Sequence, residues 1–233
     1  PTGAGLSSSA ALECATAAAL NDLYGLGLSA PELALISQRA ENAFVGVPCG
    51  VMDQMASACC TDGAALFLDT RTLEGRHVPL DLEAAGFRLL VIDTRVKYDL
   101  GDGAYAVLRA GCERAAELLG LAALRDLPAA GLSAALERLP DDLARLVRHV
   151  VTENGRVLET VEHLDGGRIA ALGPVLTAGH ASLRDDFRVS CDETDLAVES
   201  AVADPVAAAV RSAGYAAPVA FTAVPSPGAR RVD

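Results

Sequence analysis

The sequence has no tryptophan, and aromatic residues make up only 4% of its 233 positions. A core built from it must rest on Ala, Leu and Val rather than on aromatic anchors. Lysine is nearly absent, since Lys97 is the only one and every other formally basic residue is Arg. Positive charge is in deficit, with 19 basic against 31 acidic residues and a formal net charge of −12. That balance excludes a broadly basic nucleic-acid-binding surface. An anion could be held only by a local site. The six cysteines (Cys14, Cys49, Cys59, Cys60, Cys112, Cys191) form no C-x-x-C pair and the four histidines are scattered, so no zinc centre is indicated. Free, mostly buried thiols of a reducing compartment are the simpler reading. No apolar run reaches the roughly 18 residues of a membrane span. No secretory signal is visible either, and a cytoplasmic location is expected.

What is present is a normal globular balance, 51% hydrophobic and 21% charged, long enough for one large domain or two small ones. The most informative stretch is Pro1-Thr2-Gly3-Ala4-Gly5-Leu6-Ser7-Ser8-Ser9-Ala10. Two glycines one residue apart permit positive φ and close approach of a ligand to the main chain. Serines at the start of an Ala-rich helix are good caps. Together they aim N–H donors and the positive end of a helix dipole at one place, which suits a phosphate. A P-loop would need a Lys after its last Gly, and here Leu6 and Ser7 follow Gly5. A dinucleotide fingerprint would need a third Gly where Ser8 stands. Phosphate charge would then be met by N–H groups, hydroxyls and Mg²⁺. The alternative is a solvent loop capping an ordinary helix.

Spacing predicts a helix over 9–23 with Ala11, Cys14, Ala15, Ala18 and Ala19 on one face, and a second helix capped by Ser29, with Pro31 early, Glu32 three residues after the cap, an apolar face of Leu33, Ile36 and Ala40, and Glu41 at its far end. Val45–Gln54 is a Gly/Pro turn opening a helix that reaches Cys60, with Asp53 in its first turn. There Asp53 either complements the dipole or waits as an ionised base. Strands are predicted at 64–69, 76–80 and 87–93, as a hairpin with a third strand beside it. A loop at 96–103 precedes a helix opened by Tyr105, which is either a core anchor with a wet hydroxyl or a ligand contact. Residues 121–203 read as all helical, with a long stripe of Leu143, Leu146, Val147, Val150, Val157, Leu158 and Val161. Ile169–Ser182 and Glu193–Ala203 are further helices within it. A helix at 206–213 and a strand at 219–224 close the pattern. His77, His149, His163 and His180 are expected at the surface or at helix ends. Grouped rather than alternating helices and strands imply an α+β chain in two lobes, residues 1–95 and 96–233.

The opening loop and its helix, Glu41 within QRAENAFVG, PCGVMDQ at Pro48–Gln54, and SLRDDF at Ser182–Phe187 followed by SCDETDL occur in the order and spacing of the GHMP family of sugar kinases, which the chain resembles over most of its length. The resemblance implies a two-lobed fold, with a ribosomal-protein-like N-terminal lobe and a helical, ferredoxin-like C-terminal lobe. It implies ATP-dependent phosphorylation of galactose at its C1 hydroxyl, the first committed step of galactose catabolism. Gly3, Ala4, Gly5, Leu6, Ser7, Ser8 and Ser9 would then hold the ATP phosphates, and Ser9 and Glu41 would hold Mg²⁺. Asp53 would meet the C1 hydroxyl as the catalytic carboxylate, and Gly50 and Tyr105 would contact the sugar. Small-molecule substrates and a monomer follow, with neither nucleic acid nor membrane as partner.

Two features depart from that family. Its upstream motif, an Arg, a Glu-His pair and an Asp that grip the sugar, is absent, and the start at Pro1 inside a motif implies missing N-terminal residues. Its later Gly-rich motif is also absent, and Asp204-Pro205 reads as a junction over missing residues. On this reading the 233 residues alone would be inactive. The alternatives are another sugar-1-kinase, such as one for an N-acetylated hexosamine, and a non-catalytic regulator that binds galactose and ATP. Intact Ser7-Ser8-Ser9 and Asp53 favour an enzyme over the regulator.

Overall fold

A computed structural model describes residues 5–96, 104–200 and 210–231. Gly3, Ala4, nearly all of the expected 96–103 loop and the Asp204-Pro205 step lie outside the described residues. The chain divides into two compact units, residues 1–101 with 218–233, and residues 102–217. The last residues group with the first unit because the final strand pairs there.

In the first unit, α1 (Ser8–Tyr24) ends at Gly25, whose φ of 58° lets its N–H turn back to the carbonyls of Asn21 and Asp22. Its buried residues are Ala10 and Cys14, while Ala11, Ala15 and Ala19, expected inside, are exposed. In an Ala-rich helix several faces are about equally apolar, so composition leaves the phase open and tertiary contact decides it. α2 (Ala30–Ala40) starts as expected: the Glu32 carboxylate accepts from the Ser29 N–H at 2.8 Å and from its hydroxyl at 2.6 Å. Its inward stripe is Leu33, Ala34 and Ser37 rather than Leu33, Ile36 and Ala40, and Ile36 is exposed. The 34–37–41 spacing carries the stripe on to Glu41, which opens a π-helical turn, Glu41–Val45. α3 (Met52–Cys59) follows the Gly/Pro turn.

β1 (Ala64–Leu68) and β2 (Gly75–Pro79) form the predicted antiparallel hairpin, with Leu66 opposite His77. Its connection is tied by the Asp69 carboxylate, which accepts from the N–H groups of Arg71 and Thr72 at 2.8 and 3.1 Å. β3 (Leu89–Asp93) is not a third strand of that hairpin. It pairs antiparallel with β4 (Val219–Ala223), Val91 opposite Phe221. The core of this unit is Ala34, Val51 and Met55, with Leu66, Leu68 and Leu73 packed on it. Beyond β4 the chain is clamped to the end of α3, where Gly228 N–H donates to Cys60 O and Ala229 N–H to Ser57 O, each at 2.7 Å. A Cβ at residue 228 would overlap the Ala58 carbonyl, so the clamp admits only glycine.

The second unit holds α4 (Ala104–Leu119), α5 (Leu132–Leu136), α6 (Asp141–Asp165), α7 (Leu172–Ser182) and α8 (Asp192–Ser200), and α4, α5, α6 and the segments joining them form a core of Ala115, Ala116, Leu124, Leu139, Ala144, Val147 and Val151. α6 follows Pro140 and begins with Asp141 and Asp142, acids that suit its positive end. Its stripe is buried only as far as Val151 before Leu164 turns in again, and Val157 and Leu158 are exposed. A 3₁₀ turn, Ile169–Ala171, leads into α7, so the expected single helix from Ile169 is two pieces. α8 begins one residue before the expected Glu193, and residues 210–212 are helical within the expected 206–213 segment.

His149 corrects the surface assignment made from sequence. It is 7% exposed, with Nδ1 3.0 Å from Ser182 Oγ and its ring 4.4 Å from that of Phe187. Ser182 donates on to Asp186 at 3.1 Å, and Arg148 closes on Asp186 at 2.8 Å. The SLRDDF block thus anchors α6. His163 stands in the last turn of α6, and His180 near the end of α7 meets Asp195 at 2.9 Å. His77 Nε2 lies 2.8 Å from Cys59 O.

Candidate functional site

The opening loop has unusual backbone geometry. Gly5 has φ 68°, and Ser7, the N-cap of α1, has φ 51° and ψ 45°. A left-handed serine is uncommon and costs roughly 1 kcal/mol or more. Ser7 makes no side-chain cap bond, and no acid stands in the first turn of α1. The positive end of a 17-residue helix is left without a carboxylate or a capping hydroxyl of its own. Ser7 and Ser8 are half-buried, Ser9 is exposed, and Leu6 lies outside at 44% exposure.

α1, α2 and α3 pack against one another, and they bring together side chains from three distant stretches. Glu41, at the end of the inward stripe of α2, is 5% exposed, and its Oε2 has no hydrogen-bond partner among the described residues. A buried carboxylate oxygen without a donor is costly unless something outside the chain satisfies it. Glu13 of α1 shares a hydrogen bond with Glu41, and Gln54 Nε2 of α3 donates to Glu13 Oε2 at 3.4 Å. Burial, then that bond and the charge of Glu41 raise the Glu13 carboxyl to about 7, against a smaller lowering by Gln54.

The PCGVMDQ turn is held from the same side. Asn42 Oδ1 accepts from Cys49 N–H at 3.0 Å, and Gln38 Nε2 donates to Cys49 O at 3.3 Å. Burial pushes the Cys49 thiol up, so it is poorly suited to act as a nucleophile. Gly50 is exposed, and nothing lies within 4 Å of where a Cβ would stand. The fold therefore does not itself demand glycine there. Asp53 sits half-buried in the first turn of α3, whose N-cap, Val51, offers no side chain to the helix.

Of the residues expected at the site, Gly5–Ser9, Glu41, Gly50 and Asp53 thus fall in the first unit. Tyr105 belongs to the second unit, near the start of α4, 44% exposed. Sequence reasoning missed Glu13, Gln38 and Asn42. Glu13 lies four residues after Ser9 on α1, a spacing that puts the two on one face and could have singled it out. A charged residue next to buried Cys14 was a second signal.

Residues 1–61 match the family description "GHMP kinases N terminal domain". The chain is 54% identical over 264 aligned residues to the galactokinase of Streptomyces coelicolor, covering all of this chain and 68% of that protein. It is 59% identical to that of Streptomyces lividans, over 87% of this chain and 51% of the relative, and 45% identical to that of Thermotoga neapolitana, over 85% and 55%. The chain therefore spans about two thirds of the first of these relatives and about half of the other two. Among solved structures, Lactococcus lactis galactokinase complexed with galactose superposes with a TM-score of 0.92 at 26% identity, over the whole of this chain and 69% of that one. That likeness gives the α+β arrangement described above as the GHMP kinase fold, and with the Streptomyces coelicolor relative it shows that this chain belongs to the galactokinase family.

Proposed function

We propose that the protein transfers the γ-phosphoryl group of ATP to the C1 hydroxyl of galactose, giving galactose 1-phosphate and ADP. The observation that carries this reading is Glu41, an almost fully buried carboxylate with an unpartnered oxygen, on a helix packed against the one that the Gly/Ser loop opens. Phosphoryl transfer asks mainly for positioning and for neutralising charge on phosphate oxygens. The left-handed turns at Gly5 and Ser7 expose the start of α1 toward an anion. The triphosphate would lie along Gly3–Ser9.

The fit of Mg²⁺ is supported by the donors present. Glu41 supplies an oxygen with no other partner and Ser9 an exposed hydroxyl, both hard ligands. When bound, the ion would offset the charge that develops on the phosphate oxygens. Asp53 would accept the proton of the C1 hydroxyl as that oxygen bonds to phosphorus and the bond to the ADP oxygen breaks. It stands in the first turn of α3, whose N-cap supplies no side-chain bond. Gly50, open on its Cβ side, leaves room for a sugar against the backbone.

The test uses the complete natural protein with Mg-ATP and a panel of hexoses, scored for 1-phosphate product. Galactose should be turned over, and Asp53→Asn should lower kcat by about 10²- to 10⁴-fold with the fold intact. Full turnover by Asp53→Asn would refute the assignment of the base. A product from another hexose with galactose inert would refute the choice of sugar.

A further inference from the structure

Cys49, the residue just before Gly50, is held by every polar group it has, although the proposed mechanism gives it no role. Its N–H donates to Asn42 Oδ1 at 3.0 Å, and its carbonyl accepts from Gln38 Nε2 at 3.3 Å. Its thiol donates to Asn42 Oδ1 at 3.4 Å, and Gln54 Nε2 lies 3.9 Å from its sulfur. The same N–H lies 2.8 Å from Val47 O. The three side chains come from α2, from the π-helical turn that follows it and from α3. That turn closes where Gly46, at φ 81°, donates its N–H to Glu41 O at 3.0 Å. The chain doubles back there, and Asn42 reaches a residue seven positions on. Gly50 is the contrast: its N–H and carbonyl take no backbone partner among the described residues, and its Cβ side is open.

We propose that Gln38 and Asn42 are positioning residues for the sugar: together they fix the two peptide planes on either side of Cys49 and so aim the Gly50 N–H at the hexose. The inference rests on the reading that galactose lies against Gly50. Cys49 O and Gly50 N–H belong to one planar trans peptide and point to opposite sides of it. Gln38 therefore sets the direction of the Gly50 N–H by holding the oxygen across the plane from it. Asn42 holds the N–H of the preceding plane, so φ and ψ of Cys49 are both fixed. Such ties matter beside a glycine, which has no side chain to anchor it and wide freedom in φ and ψ. An N–H oriented before the ligand arrives costs no ordering on binding. It suits the oxygen of a sugar hydroxyl, which can accept. The two side chains need opposite chemistry. Position 38 must donate, and position 42 must accept.

The test is steady-state kinetics of the complete natural protein with galactose and ATP at saturating Mg²⁺, with the melting temperature of each variant recorded. Gln38→Glu keeps the shape and, once ionised, lacks the donor. It should raise the KM for galactose about three- to tenfold, the scale of one hydrogen bond, with the KM for ATP within about twofold of the parent. Asn42→Ala should do the same. Asn42→Asp keeps an acceptor and should hold the galactose KM within about twofold of the parent. Gln38→Met, which fills the space without a donor, replaces Gln38→Glu if that variant does not fold. A parent-like galactose KM in both the position-38 variant and Asn42→Ala overturns the proposal. An equal rise in the KM values of galactose and ATP also overturns it, since the two side chains would then only stabilise the fold. A rise with Asn42→Asp as large as with Asn42→Ala overturns the assignment of Asn42 as the acceptor. Gly50→Ala is the control for the underlying reading. If it keeps the parent KM for galactose, the sugar does not lie against Gly50 and both readings fall; if it raises that KM while the variants at 38 and 42 do not, only the positioning role fails.

Discussion

Glu13 makes the stability of the first unit depend on pH in a way that can be worked through. The carboxyl is raised from 4.5 to about 7 by burial and by its bond to Glu41. The folded chain therefore holds this proton more tightly than the unfolded chain does. Its contribution to stability is complete below pH 4.5 and is lost as pH rises through about 7. About 2.5 units at 1.36 kcal/mol each sets a ceiling of about 3 kcal/mol. Glu13 is only half-buried, and solvent screening brings the expected change to about 1–2 kcal/mol. For a chain of this length, each kcal/mol moves the melting temperature by about 2–4 °C. Glu13 should thus lower it by roughly 2–8 °C between pH 5 and pH 8.

The measurement is thermal unfolding of the parent and of Glu13→Gln at pH 5, 6, 7 and 8, with chelator present so that no divalent ion competes. Glutamine keeps both hydrogen bonds and does not titrate. The Gln variant should lack the Glu13 part of the slope and exceed the parent most clearly at pH 8. Titrating groups away from the junction are common to both proteins, so the difference between the curves reports position 13 together with the Glu41 carboxylate it is coupled to. His149 is such a group. Burial lowers its pKa, so its contribution is lost as pH falls below about 6.5, opposite in sign to Glu13. Parallel curves for the two proteins would refute the argument that burial and Glu41 raise the Glu13 carboxyl.

Other changes separate fold from chemistry. Gly50→Ala meets open space and does not need positive φ, so its melting temperature should stay within about 0.5 kcal/mol of the parent in equivalent stability, while the KM for galactose rises in a steady-state assay. Gly228→Ala drives a methyl group into the Ala58 carbonyl and should destabilise the first unit by about 1–3 kcal/mol, read by denaturant unfolding; an unchanged midpoint would show that the clamp at Cys60 and Ser57 gives way without cost. His149→Ala removes the ring stacked on Phe187 and the partner of Ser182, and should cost about 2–4 kcal/mol by the same measurement.

Much of this was legible in the residues. Ser29 and Glu32 predicted the start of α2, the Gly/Pro turn predicted α3, and the strand patterns at 64–69 and 76–80 predicted a hairpin that forms. Two kinds of information were not. In α1 alanine occupies every face, so nothing local distinguished an Ala10–Cys14 stripe from an Ala11–Ala15 one. Pairing over long sequence distances was equally invisible. β3 reads as a neighbour of the hairpin because it follows it, yet its partner β4 is more than a hundred residues away. His149 and Ser182 lie 33 positions apart, with no spacing to suggest that they meet.

The same shortage of large side chains that hid the helix phase is what lets the polar junction form. Ala10, Cys14 and Ala34 are each at most 1% exposed, and such small residues let neighbouring helix backbones approach closely. With bulky residues there, α1, α2 and α3 would stand further apart, and Glu13, Glu41 and Gln54 could not share hydrogen bonds. The shift of phase in α2 serves the same end. With Ile36 inside, the stripe would have ended at Ala40; with Ala34 and Ser37 inside, it carries the next turn, and Glu41 with it, into the protein. Pattern-based reading treats the apolar face as the cause and the polar residue as the exception. In this chain the buried carboxylate and the helix phase are one feature, because the turn that buries Ser37 also buries Glu41.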